Sequence, residues 1–172
     1  MTLSFRPVLA KPERGAAMVE LAITLMPFLI FVLAIVDFGV AIFMQNTAQS
    51  AVRAGVRYAI TSQRLTVSGS LVGQDQSIRE VVKSQSMGFL NYLLPLGHTL
   101  DQHIDVTFYD QVTLLPVTGT GSNRGGNIVQ ISVTGLSYLW MAPLVRGSNF
   151  FQIVASSADA MEASPIGGPP PR

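Results

Sequence analysis

One apolar run constrains this chain more than any other feature. From Ala16 to Met44 it reads AAMVELAITLMPFLIFVLAIVDFGVAIFM, 29 residues with Glu20 and Asp37 as the only charges. Sixteen uncharged residues, Leu21 to Val36, separate those acids. On a helix rising about 1.5 Å per residue, Glu20 and Asp37 stand roughly 26 Å apart, close to the thickness of a hydrocarbon core. A single transmembrane helix thus places its two acids near opposite interfaces. Pro27 is tolerated there, where it removes one donor and favours a kink. The run is too long for the apolar core of a cleavable secretory signal, and no convincing small-x-small cleavage site follows it. It reads as an anchor.

The rest of the composition narrows the function. Charged residues are 12% of the 172, about half the share usual in a soluble domain. Eleven Lys+Arg against ten Asp+Glu leave a net charge of +1, so the basic field that holds nucleic acid is missing. Zero cysteines exclude disulfides, thiol catalysis and Cys-based zinc or iron–sulfur sites, without fixing the compartment.

Four segments emerge from the pattern. Met1–Gly15 is a short leader with Arg6, Lys11 and Arg14 against Glu13, and Pro7 and Pro12 keep it out of the helix. Residues 16–60 form the anchor and its continuation. Over Gln45–Ile60, Ala48, Val52, Gly55, Val56 and Ala59 share one helical face, while Gln49, Arg53 and Arg57 share another. One continuous rod is favoured over an anchor with a separate amphipathic helix. The positive-inside count is a tie, three basic residues before the anchor and three after it (Arg53, Arg57, Arg64). The shortness of the leader and the size of the domain beyond the anchor favour leader-inside.

Residues 61–163 read as an exported α+β domain. Ser77-x-x-Glu80 resembles a capping box that opens a second helix with Ile78, Val81, Val82 and Phe89 on one face, ending before Pro95. Ile104, Val106 and Phe108 alternate with polar neighbours, as do Val129, Ile131 and Val133, and Phe150–Ser157 is a third strand candidate. Gln111–Gly126 reads as a flexible loop and Ser164–Arg172 as a disordered tail. The expected fold class is α+β: a long N-terminal helix, a second helix and an antiparallel sheet of about three strands.

Catalytic chemistry finds little footing. His98 and His103 lack zinc spacing, Gly119-Thr-Gly121-Ser-Asn-Arg124 puts arginine where a dinucleotide fingerprint needs its third glycine, and Asp37-Phe38-Gly39 has no kinase context. No catalytic, cofactor-binding or metal residue is assigned, and neither a small-molecule substrate nor nucleic acid is expected.

The informative stretch is Arg14-Gly15-Ala16-Ala17-Met18-Val19-Glu20, where a basic leader meets the apolar run. It resembles the type IV prepilin processing signal, in which a membrane peptidase cuts after a glycine on the cytoplasmic side and a glutamate stands fifth in the mature chain. The resemblance places the cut between Gly15 and Ala16. Glu20 then has two readings. It is favoured by the positive end of the helix dipole, or it pairs with the new amino group of Ala16 in a neighbouring subunit and fixes filament register. For Asp37 the interfacial, solvated reading is favoured.

The likeness runs further. RGAAMVELAITLMPFLIFVLAIVDFGVAIFMQNTAQSAVRAGVRYA is similar to the TadE-like pseudopilins of the tight-adherence (Tad) family, through Gly15, Glu20, Pro27, Asp37-Phe38-Gly39 and Ala54-Gly55-x-Arg57-Tyr58-Ala59. A fainter likeness includes Tyr138, Pro143 and Ala155–Glu162. The resemblance implies a minor pilin-like subunit in a bacterial inner membrane, single-pass, with a periplasmic C-terminal domain. Its implied partners are the membrane, a prepilin peptidase, other pilins and the pilus assembly platform. On that reading Ala48, Ala51, Ala54, Gly55 and Ala59 allow close approach of neighbouring helices; the plainer reading is helix propensity beside an ordinary core. The alternative to a pilin is an unprocessed, single-span anchored binding protein.

Overall fold

The computed structural model describes residues 14–140, 151–165 and 167–172. The leader up to Glu13, Pro143 and Phe150 lie outside them. The architecture is α+β. A 47-residue helix, α1 (Arg14–Ile60), runs unbroken through Pro27. A small ribbon comes next (β1, Thr66–Val67; β2, Ser70–Leu71), then α2 (Gln74–Gln85), then 3₁₀ turns at Phe89–Leu93 and Leu100–His103. The main sheet is antiparallel, order β4-β3-β5-β6, from β3 (Ile104–Tyr109), β4 (Pro116–Val117), β5 (Ile128–Tyr138) and β6 (Phe151–Ala160). The expected strands are all present, and β4 arises within the stretch read as a flexible loop.

The second half of α1 belongs to the core. Ala41, Met44, Ala48, Ala51, Val52, Val56 and Ala59 are buried at helical spacing, against Ile78 and Val82 of α2 and Ile131 and Ile153 of the sheet. Gly55 marks the tightest approach: a Cβ there would lie 2.6 Å from Cγ2 of Val82 and 3.1 Å from Cδ1 of Ile131. Arg53 and Arg57 point outward, as the face assignment required.

The start of α2 differs from the capping-box expectation. The helix begins four residues earlier, with Gly73 rather than Ser77 as N-cap. Ser77 Oγ instead donates to Gly73 O (2.8 Å) and accepts from Leu65 N (3.0 Å), while Glu80 pairs with Lys83 at 2.6 Å. A serine one turn into a helix can bond back to the i−4 carbonyl, so the same letters serve as a loop clamp.

The register of β5 decides where its far end points. Val129, Ile131 and Val133 face the core, and beyond a shift between Val133 and Leu136 the buried residues become Leu136 and Tyr138. One extra residue at a bulge flips every later side chain to the opposite face. Gly135 occupies the bulge at φ +74°, where a Cβ would lie 2.8 Å from Nδ1 of His103.

The tail expected to be disordered is packed in the structure. Gln74 N–H donates to Pro171 O (2.9 Å), Asn123 Nδ2 donates to Pro170 O (2.8 Å), and Arg172 forms an ion pair with Asp75 at 2.7 Å. The Arg172 guanidinium lies 4.8 Å from the centre of the Phe108 ring. Proline carbonyls remain good acceptors, and the first N–H groups of a helix need partners, so the tail supplies what α2 lacks.

Candidate functional site

The site begins as a bare helix. From Gly15 to Val36 every residue of α1 is exposed except half-buried Ile30. Ile23, Met26, Phe28 and Phe31 are each more than half exposed and point around the full circumference, so no face is kept for a core. The helix is long and apolar enough to cross a membrane, and its most apolar window has no buried residue. Lipid or other apolar helices must cover such a surface.

Gly15, Ala16 and Glu20 all lie within the first two turns of this bare part, away from the folded domain and exposed. A Cβ at Gly15 would meet nothing within 4 Å, so the fold itself does not require glycine there. Thr24 Oγ1 donates to the Glu20 carbonyl at 2.9 Å, in the turn before Pro27.

Asp37 ends the bare part, and here the structure corrects the expectation of a solvated acid. Asp37 is fully buried, and the Tyr138 hydroxyl donates to its Oδ1 at 2.9 Å. Trp140 packs edge-on to Tyr138, with ring centroids 6.1 Å apart. Burial raises the Tyr138 pKa, and the adjoining Asp37 carboxylate adds to the rise, taking it from 10.0 to about 12. The pair fastens the end of β5 to the helix where the helix leaves the domain. Sequence reading missed it because the contact spans 101 residues; the signal was the acid itself, since an ionisable residue bordering a membrane run seldom lacks a role.

The small residues also have a different use from helix–helix approach between subunits. Ala48, Ala51, Gly55 and Ala59 are buried against the chain's own α2 and sheet, with Ala54 half-buried. The outer face carries Gln49, Arg53 and Arg57, which with Ser157 and Asp159 line an open groove of about 600 Å³.

Among the described residues, no group of three or more His, Asp or Glu could hold a metal ion. The His98 and His103 rings lie 5.4 Å apart, and His103 Nδ1 sits 2.9 Å from the Thr134 carbonyl, against the bulge. The Gly119–Arg124 stretch joins no strand to a helix; its buried Ser122 and Asn123 hold the tail.

The family model described as TadE-like protein matches residues 15–57. No curated protein and no solved structure matches the chain. The matched segment starts at Gly15, takes in Glu20, Pro27 and Asp37, and ends at Arg57, within the part of α1 that packs on the domain. The TadE-like family is structural rather than enzymatic. The helix that carries the site is therefore similar to the TadE-like family over residues 15–57, about a quarter of the chain.

Proposed function

We propose that this chain is a minor pseudopilin, held in the bacterial inner membrane by residues 16–36 with its domain in the periplasm, and drawn from there into a Tad-type pilus. A prepilin peptidase removes the leader between Gly15 and Ala16 on the cytoplasmic side. Removing the first 15 of 172 residues leaves 157, with Glu20 in fifth place. The observation that carries this reading is the exposed glycine at the head of a bare apolar helix. Nothing in the fold calls for glycine at position 15, whereas a peptidase cleft that draws the backbone extended does.

Glu20 pairs with the new α-amino group of Ala16 on a neighbouring subunit and fixes axial register as the helices stack. A carboxylate facing lipid or packed helices is costly unless paired, so the pair makes one register favourable and the others unfavourable. Glu20→Ala tests this. We expect normal leader removal and a marked loss of the subunit from sheared filaments; wild-type levels in filaments would remove Glu20 from assembly.

A further inference from the structure

The domain carries a second apolar surface, at the end nearest the membrane run. Strand β5 runs antiparallel to the way α1 leaves the membrane. Its far end, Tyr138, meets Asp37, while its start lies by the end of α1, where Met161 N–H bonds to Asn127 O and Glu162 N–H to Ile60 O. Strand β3 begins at Ile104, opposite Val133, so the turns before it also lie toward the Asp37 end. Phe89 in the first 3₁₀ turn meets Phe43 edge-on, with centroids 5.2 Å apart. Phe43 is six residues beyond Asp37, about 9 Å along the helix, within reach of a headgroup layer several Å thick.

This collar contains no Asp, Glu, Lys or Arg from Ser86 to Gly97, SMGFLNYLLPLG. Leu90 and Leu93 are buried and hold it to the core, while Met87 (78% exposed), Tyr92 (85%) and Leu96 (fully exposed) are turned outward. Met87 and Gly88 both adopt positive φ, 49° and 77°, which presents the methionine at the tip of the turn. Leu139, next to the Asp37–Tyr138 pair, adds to the same end at 62%. Tyrosine and long apolar side chains are the residues that settle at a membrane–water boundary. A comparable exposed group, Val112, Leu114 and Leu115, lies past Tyr109 at the opposite end of β3 and has no continuity with the anchor.

From this we infer that the Ser86–Gly97 collar sits in the headgroup region of the same bilayer that α1 crosses, as a second lipid contact that sets the height and tilt of the domain. The inference rests on the membrane reading of residues 21–36. It explains why a loop facing the anchor is uncharged while the helix before it and the 3₁₀ turn after it share the Glu80–Lys83–Asp101 ion-pair cluster.

The absence of cysteine permits single labels. Full-length Leu96→Cys, Leu114→Cys and Leu29→Cys would each carry a polarity-sensitive fluorophore, in phosphatidylcholine–phosphatidylglycerol vesicles with shallow nitroxide lipids. We expect the Leu96 label to be blue-shifted and quenched several-fold more than the Leu114 label, with the Leu29 label reporting a buried apolar site. A Leu96 label as wet as the Leu114 label, while the Leu29 label is embedded, would overturn the collar contact alone. A wet Leu29 label would overturn the membrane reading and the collar with it.

Discussion

The Tyr138 hydroxyl and the Asp37 carboxylate are 101 residues apart in sequence and 2.9 Å apart in the fold. That bond divides α1 at one residue. Before Asp37 the helix touches almost nothing; from Asp37 onward a regular stripe of it forms one wall of the core. The division lets one helix serve two surroundings, an apolar one along residues 15–36 and the domain's own interior beyond.

Tyr138→Phe removes a donor from a buried carboxylate while keeping the ring in place. Hydrogen bonds to charged groups contribute about 1.5–3 kcal/mol, and a loss of that order is expected in the unfolding free energy of the detergent-solubilised chain. The same bond sets an alkaline limit. With its pKa raised from 10.0 to about 12 in the fold, Tyr138 stabilises the folded state fully below pH 10, and that contribution is lost as pH rises through 12. Wild-type protein should lose stability over this window, and Tyr138→Phe should show a smaller loss, read by thermal melts across the alkaline range.

Gly55 and Gly39 make a paired test of the α1 wall. Both are helical, so alanine offers each about 1 kcal/mol of helix propensity. At Gly39 a Cβ meets nothing within 4 Å, whereas at Gly55 it is driven against Val82 and Ile131. Overpacking costs about 1–3 kcal/mol. Gly39→Ala should therefore leave the melting temperature unchanged or higher, and Gly55→Ala should lower it.

Arg172→Ala should loosen the C-terminal strap. The Asp75–Arg172 pair is partly exposed, and together with the Phe108 contact we expect a loss of about 1 kcal/mol. Hydrogen exchange gives a sharper reading, because the Gln74 amide bonds to Pro171 O. Its protection should fall in Arg172→Ala while that of Val82, in the middle of the core, stays unchanged.

Much of this fold was legible in the sequence, for identifiable reasons. The α1 stripe from Ala48 to Ala59 follows the helical period, and Ile104–Tyr109 and Val129–Val133 follow the strand period; both are local signals. The Asp37–Tyr138 pair was not legible, because strict alternation from Val133 would turn Tyr138 away from the core, and only the Gly135 bulge turns it inward. The tail misled by composition: Pro-Pro-Pro-Arg builds no core of its own, yet its carbonyls and guanidinium complete bonds that Gln74, Asn123 and Asp75 leave open. At Gly15 a Cβ would meet nothing within 4 Å, so the fold adds no packing reason for the glycine that the sequence singles out.

The most direct test of the pseudopilin account is the intact mass of the protein from native membranes, with and without the prepilin peptidase, alongside Gly15→Phe. The account predicts a chain beginning at Ala16 only when the peptidase is present, and full-length protein for Gly15→Phe in both backgrounds. Full-length wild-type protein in both backgrounds would contradict it and leave an unprocessed, single-span anchored protein.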